Sequence, residues 1–135
     1  MKLKLNDFFS YEFSISKDNV QKFAELSGDT NPIHLDEEYA KKTIFKSPII
    51  HGYLGSSVFS KVLGTMFPGE GTIYLSQNLK FHLPMYTDKI YISEFLVTNI
   101  EPEKHRATIK TTIKLASNAT LITSGEALIQ NELFL

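Results

Sequence analysis

Cysteine is absent from the 135-residue chain, which removes disulfide frameworks, thiol nucleophiles and thiolate metal sites. Runs of one charge are absent too. The 14 basic and 15 acidic residues are interspersed and leave a formal net charge of −1. A nucleic acid or an anionic membrane surface calls for a concentrated basic patch, so neither is expected as a partner. No apolar stretch approaches the length of a membrane span. The start, MKLKLNDFFS, lacks the apolar run that follows the lysines of a signal peptide. No glycine-rich phosphate loop of the required form occurs, so no nucleotide cofactor is expected. Internal repeats, low-complexity tracts and linkers are also missing. Residues 1–135 therefore read as a single domain of a soluble, cytoplasmic protein, long enough for one core and short for two.

What is present is a globular composition, with 42% hydrophobic and 12% aromatic residues, which leaves no case for disorder. Residues Phe8 to Ile15 alternate loosely and predict a first strand. Ser16 is placed as an N-cap for a short helix whose buried face holds Val20, Phe23, Ala24 and Leu26. Gly28 follows the last apolar residue, where a left-handed C-cap belongs. Asp29-Thr30-Asn31-Pro32 cannot continue that helix, because the residue before proline avoids the α region and proline suits only a first turn. Asn31 can cap a new turn with Pro32 as its first residue. Asp36 to Lys42 predicts a further short helix, with acidic residues first and lysines last as the dipole prefers.

The segment from Pro48 to Phe67 is almost wholly apolar or small, with Lys61 its one certain charge. It predicts a long helix buried on most sides, started by Ser47-Pro48 and stopped by Pro68-Gly69. Small residues at Gly52, Gly55, Ser56 and Ser57 let a backbone or a ligand approach it. Phe59, Val62, Leu63, Met66 and Phe67 are expected in the core, with room for some to line a tunnel. After Gly71 the pattern becomes β. Ile73, Leu75, Leu79, Phe81 and Leu83 alternate with polar residues, and Gln77 interrupts the apolar face, placed there to border a polar pocket or to bond a neighbouring backbone. Strands are predicted over Ile90 to Ile100, Ala107 to Leu115 and Leu121 to Gln130, with a turn at Ser117-Asn118. Short connections favour an antiparallel four-strand meander. The fold class is α+β, a sheet wrapped around one long helix.

The segment Ser27-Gly28-Asp29-Thr30-Asn31-Pro32-Ile33-His34 resembles the signature of the MaoC-like dehydratases and (R)-specific enoyl-CoA hydratases. A second block, Ser47-Pro48-Ile49-Ile50-His51-Gly52-Tyr53-Leu54-Gly55-Ser56-Ser57, is similar to the start of that family's central helix, and residues 71–84 to the strand after it. The resemblance implies a hot-dog fold, a homodimer, and reversible hydration of a trans-2-enoyl thioester to the (R)-3-hydroxyacyl thioester. It further implies that Asp29 and His34 bracket the water, that Ser57 helps to order the site, and that the Gly52 N–H is donor to the thioester carbonyl.

The residues suit that chemistry. Water addition to a polarised double bond needs a base near the water, an acid near the α-carbon and a donor for the carbonyl oxygen. On one continuous helix Asp29 and His34 would point about 140° apart. Pro32 forbids that helix, and a turn can turn both side chains to one water. A placed carboxylate or imidazole contributes about 10²–10⁴-fold in rate. N–H groups at the start of a helix favour a developing enolate oxygen. His51 is expected as a hydrogen-bonded core histidine, and His82 and His105 lack metal spacing, so no metal is expected. Three other readings share these residues: a dehydratase acting on acyl carrier protein, a thioesterase, and a module that binds acyl thioesters without turnover.

Overall fold

A computed structural model describes residues 2–135. In chain order they form β1 (Phe8–Phe13), α1 (Lys17–Ser27), α2 (Pro32–Leu35), α3 (Glu37–Lys41), α4 (Gly52–Thr65), β2 (Ile73–Phe81), β3 (Tyr91–Glu101), β4 (Arg106–Leu115) and β5 (Leu121–Gln130). Most local signals in the first third act as expected. Leu26, expected on the buried face of α1, is instead 88% exposed, since it lies about 200° around the helix from Ala24. The Ser16 hydroxyl accepts from the Asn19 amide at 3.1 Å while the Asn19 side chain accepts from the Ser16 amide at 3.0 Å, a reciprocal cap on α1. Gly28 ends α1 at φ 81°, in the left-handed region that costs glycine nothing. Asn31 caps α2 through its own side chain, with Pro32 as first residue.

All strand pairs are antiparallel, but the order in the sheet is β1-β3-β4-β5-β2. The predicted four-strand meander is thus corrected to a three-strand one. Only β3, β4 and β5 follow each other, while β2 lies beside β5 at the far edge. The alternation expected along β2 is also broken. A register shift between Tyr74 and Ser76 makes Leu75 the extra residue, so Tyr74 pairs with Ile129 while Gln77 pairs with Ala127. A bulge turns one residue out of phase and carries everything before it to the opposite face.

The core lies between α4 and one face of the sheet. Phe59, Val62 and Leu63 are fully buried in one cluster with Phe95, Val97, Ile109, Ile113 and Ile129. Phe59 meets Phe95 edge to face, with centroids 5.8 Å apart. Met66 departs from expectation and is half-exposed beyond the end of α4.

The start of α4 is a second correction. Helix was expected from Pro48, yet it begins at Gly52 with His51 as N-cap. Before that point the backbone serves other segments. The Ile49 amide donates to Ile33 at 3.1 Å and the Ile50 amide to Met85 at 2.9 Å. These bonds tie residues 49–51 to α2 on one side and to the segment after β2 on the other. His51 stands at φ −53° and ψ 133°, outside the helical region, so the helix starts only after it.

Candidate active site

The turn from Gly28 to His34 is built from its own short polar residues. Ser27 accepts from the Asp29 amide at 3.1 Å, Asp29 from the Asn31 amide at 3.3 Å, and Asn31 from the Ile33 amide at 3.1 Å. Such side-chain-to-backbone bonds replace the helix that Pro32 interrupts. Asn31 and Pro32 therefore shape this turn. Asp29 is left exposed and His34 half-buried.

The Nδ1 of His34 lies 2.7 Å from the Ile49 carbonyl oxygen. A carbonyl only accepts, so Nδ1 carries the proton, and in the neutral ring Nε2 holds a free lone pair. A carboxylate oxygen of Asp29, a ring nitrogen of His34 and a ring nitrogen of His51 lie within 4.8 Å of one another. The structure thus brings Asp29 and His34 together as the sequence leads one to expect. It also brings in His51, which the sequence places in the core. His51 is buried, but its ring stacks on that of His34 with centroids 3.8 Å apart and planes 25° apart. A histidine at a helix start in an apolar segment carries no sign of such a stack.

The same three residues form the one cluster of metal-ligand type among the described residues. Their geometry suits a metal poorly. Imidazole lone pairs lie in the ring plane, and in two nearly parallel stacked rings they run side by side instead of converging on one ion. An acid–base cluster fits these residues better than a tetrahedral site.

Gly52 is the first residue of α4, so its N–H has no acceptor within the helix. A Cβ built there would stand 2.8 Å from the ring of Phe81, so the position tolerates no side chain unless that ring moves. His34 and Gly52 line one cavity of about 400 Å³ whose other walls include Phe45, Ile49, Leu83 and Met85. An imidazole and a free helix N–H thus meet at one apolar pocket, as ligand sites do. A second cavity of about 370 Å³ on the other side of His34 is more polar, with Lys17, Glu37 and Lys89 among its walls.

Ser57 is not brought to this place. Its hydroxyl donates to the Leu54 carbonyl at 2.6 Å, and the residue lines two other cavities along α4. Gln77 takes the second of its two expected roles, bonding a neighbouring backbone. It donates to the Asn78 carbonyl at 2.7 Å and to the Thr111 hydroxyl at 3.0 Å, accepts from Tyr74, and borders the groove between α4 and β2. Of the remaining histidines, His82 lines the same cavity as His34 and bonds the Ser124 hydroxyl at 2.7 Å, while His105 is engaged with the Leu135 carbonyl at 2.8 Å.

Comparison with known proteins gives a consistent result. The profile of the family described as "MaoC like domain" matches residues 7–121. The (R)-specific enoyl-CoA hydratase of Rhodospirillum rubrum is 41% identical over 116 residues, which are 86% of this chain and 79% of the relative. A mitochondrial 3-hydroxyacyl-[acyl-carrier-protein] dehydratase of Arabidopsis thaliana is 31% identical over 127 residues, 93% of this chain and 75% of the relative. Among solved structures, the (R)-hydratase from A. caviae involved in PHA biosynthesis superimposes with a TM-score of 0.91 at 37% identity, covering 96% of this chain and 97% of that one. The sheet and its central helix are those of the hot-dog fold.

Proposed function

Since the chain belongs to the MaoC-like domain family, we propose that it is a hydro-lyase that reversibly hydrates trans-2-enoyl-CoA to (R)-3-hydroxyacyl-CoA. The observation that carries this reading is that His34, whose ring nitrogen lies within 4.8 Å of an Asp29 carboxylate oxygen, and the free Gly52 N–H line one apolar cavity. In the hydration direction the water sits between the Asp29 carboxylate and His34 Nε2. Its oxygen bonds to the β-carbon as its proton passes to the dyad. The π electrons move onto the thioester oxygen, where the Gly52 N–H and the positive end of α4 hold the charge. The dyad then gives that proton to the α-carbon of the enolate and is restored, so the sum of the steps is one water added. The acyl chain lies along Ile49, Leu83 and Met85.

Coenzyme A is the favoured carrier over an acyl carrier protein. An acidic carrier protein needs a broad basic rim, whereas the polar side of the site offers Lys89 and a Lys17 already paired with Glu37 at 2.9 Å. The active unit in this reading is a homodimer joined through β2. That strand is an edge, yet Ile73, Tyr74, Leu75 and Phe81 on it are all exposed by more than a third. Bare apolar edges are normally covered.

The test is to mix the protein with crotonyl-CoA, follow the enoyl absorbance, and determine the configuration of the product. Loss of absorbance with formation of the (R)-3-hydroxy product is expected. Release of free thiol, or binding with unchanged absorbance, contradicts the proposal.

A further inference from the structure

His51 is the residue whose surroundings exceed what packing requires. Its Nε2 lies 2.9 Å from the backbone carbonyl of Asp29, so Nε2 carries the proton and donates it. One face of its ring lies on His34, and Phe23 of α1 meets it edge-on with centroids 4.8 Å apart. Its other nitrogen, Nδ1, is buried without a hydrogen-bond partner among the described residues. A ring that served only to fill space would do so better as phenylalanine, since it would then bury no unsatisfied acceptor. The polar atom that is used, Nε2–H, goes to the residue that bears one catalytic group, and the ring face goes to the other. His51 is also the N-cap of α4, directly before the Gly52 N–H.

We propose that His51 is a positioning residue for the dyad, holding the Asp29 backbone through its Nε2–H and the plane of the His34 imidazole through its ring face. The dyad and the oxyanion donor are thereby referred to a single rigid point at the start of α4. The neighbouring backbone completes the clamp, because the Ile49 carbonyl orients His34 and the Ile49 amide holds Ile33. Residues 49–51 thus fix the catalytic turn at three points. This explains why the segment stays out of the helix that its composition favours.

The inference rests on the hydratase reading, and its test separates the two. His51→Phe keeps a flat ring for the stack and removes the donor. His51→Gln restores an N–H donor of similar reach without the ring. With crotonyl-CoA, His51→Phe is expected to lower kcat by about 10- to 100-fold and to leave KM within about threefold. His51→Gln is expected to recover a large part of kcat. Independently of activity, amide exchange over residues 29–34 should speed up by about tenfold or more in His51→Phe, with the α4 amides as protected as before. Faster exchange in the turn alongside an inactive wild type would leave the positioning role standing and overturn the reaction. Unchanged exchange with kcat within about twofold in both variants overturns the positioning role. So does a loss of protection spread evenly through α4 and the sheet, which would mark His51 as a plain core residue.

Discussion

At the scale of single residues, the pair Asp29 and His34 was legible because the features that join them are local. Gly28 ends one helix, Pro32 starts another, and the intervening side chains bond their own backbone. His51 was not legible as their neighbour, since its stack on His34 depends on how residues 49–51 are tied to two distant segments. Tyr74 is a similar case. Its phase on β2 is set by a bulge that alternation alone does not disclose. Although 37% of the residue is exposed, the burial of its hydroxyl end pushes that group up to about 12, and burial also raises Tyr91 against the opposing pull of the Tyr86 amide. In the folded state Tyr74 keeps its proton over a range where an unfolded tyrosine has lost it. The stability this gives is present below about pH 10 and is lost as pH rises toward about 12. Urea unfolding across that range should show a falling midpoint, with a shallower fall in Tyr74→Phe. An identical slope in both proteins would show that Tyr74 does not contribute.

At the scale of elements, caps and stops were readable and starts under tertiary control were not. Ser16 caps α1 as its sequence context demands. Replacing it by alanine is expected to cost about 1 kcal/mol in urea unfolding. Pro48 looked like a helix start because Ser-Pro before an apolar run commonly is one. The helix begins four residues later because His51 is held at ψ 133°, outside the helical region, in a segment bonded to α2 and to the stretch after β2. That delay puts Gly52 at the first helical position, where the N–H is free and Phe81 covers the Cα. Gly52→Ala should therefore displace Phe81 and reduce kcat, by about 10²-fold if the donor is lost to the oxyanion. In a Phe81→Ala background the same change should cost much less. Equal losses in both backgrounds would show that the clash with Phe81 is not the cause.

At the scale of the whole molecule, the sequence indicated an antiparallel sheet and a buried helix but not the strand order. Short loops predict that neighbours in sequence pair, and β2 breaks that rule by crossing to the edge beside β5. Pairing partners depend on which apolar faces meet across α4, and that information is spread over the chain. The consequence is an edge strand with exposed Ile73, Leu75 and Phe81. If β2 joins two copies, sedimentation should give a dimer for the wild type and a monomer for Leu75→Lys, whose buried charge an interface would reject. A monomeric wild type would remove the dimer from the account. The core beneath α4 does not depend on the dimer, since Phe59, Val62 and Leu63 are fully buried within one chain.

The most direct test of the account is the rate of enoyl absorbance loss when crotonyl-CoA is mixed with wild-type protein and, separately, with Asp29→Asn. Asp29 is exposed and its replacement is isosteric, so the variant should fold as the wild type does. The account predicts rapid hydration by the wild type and a rate about 10²–10⁴-fold lower for the variant. Equal rates with the two proteins would contradict the central role of Asp29.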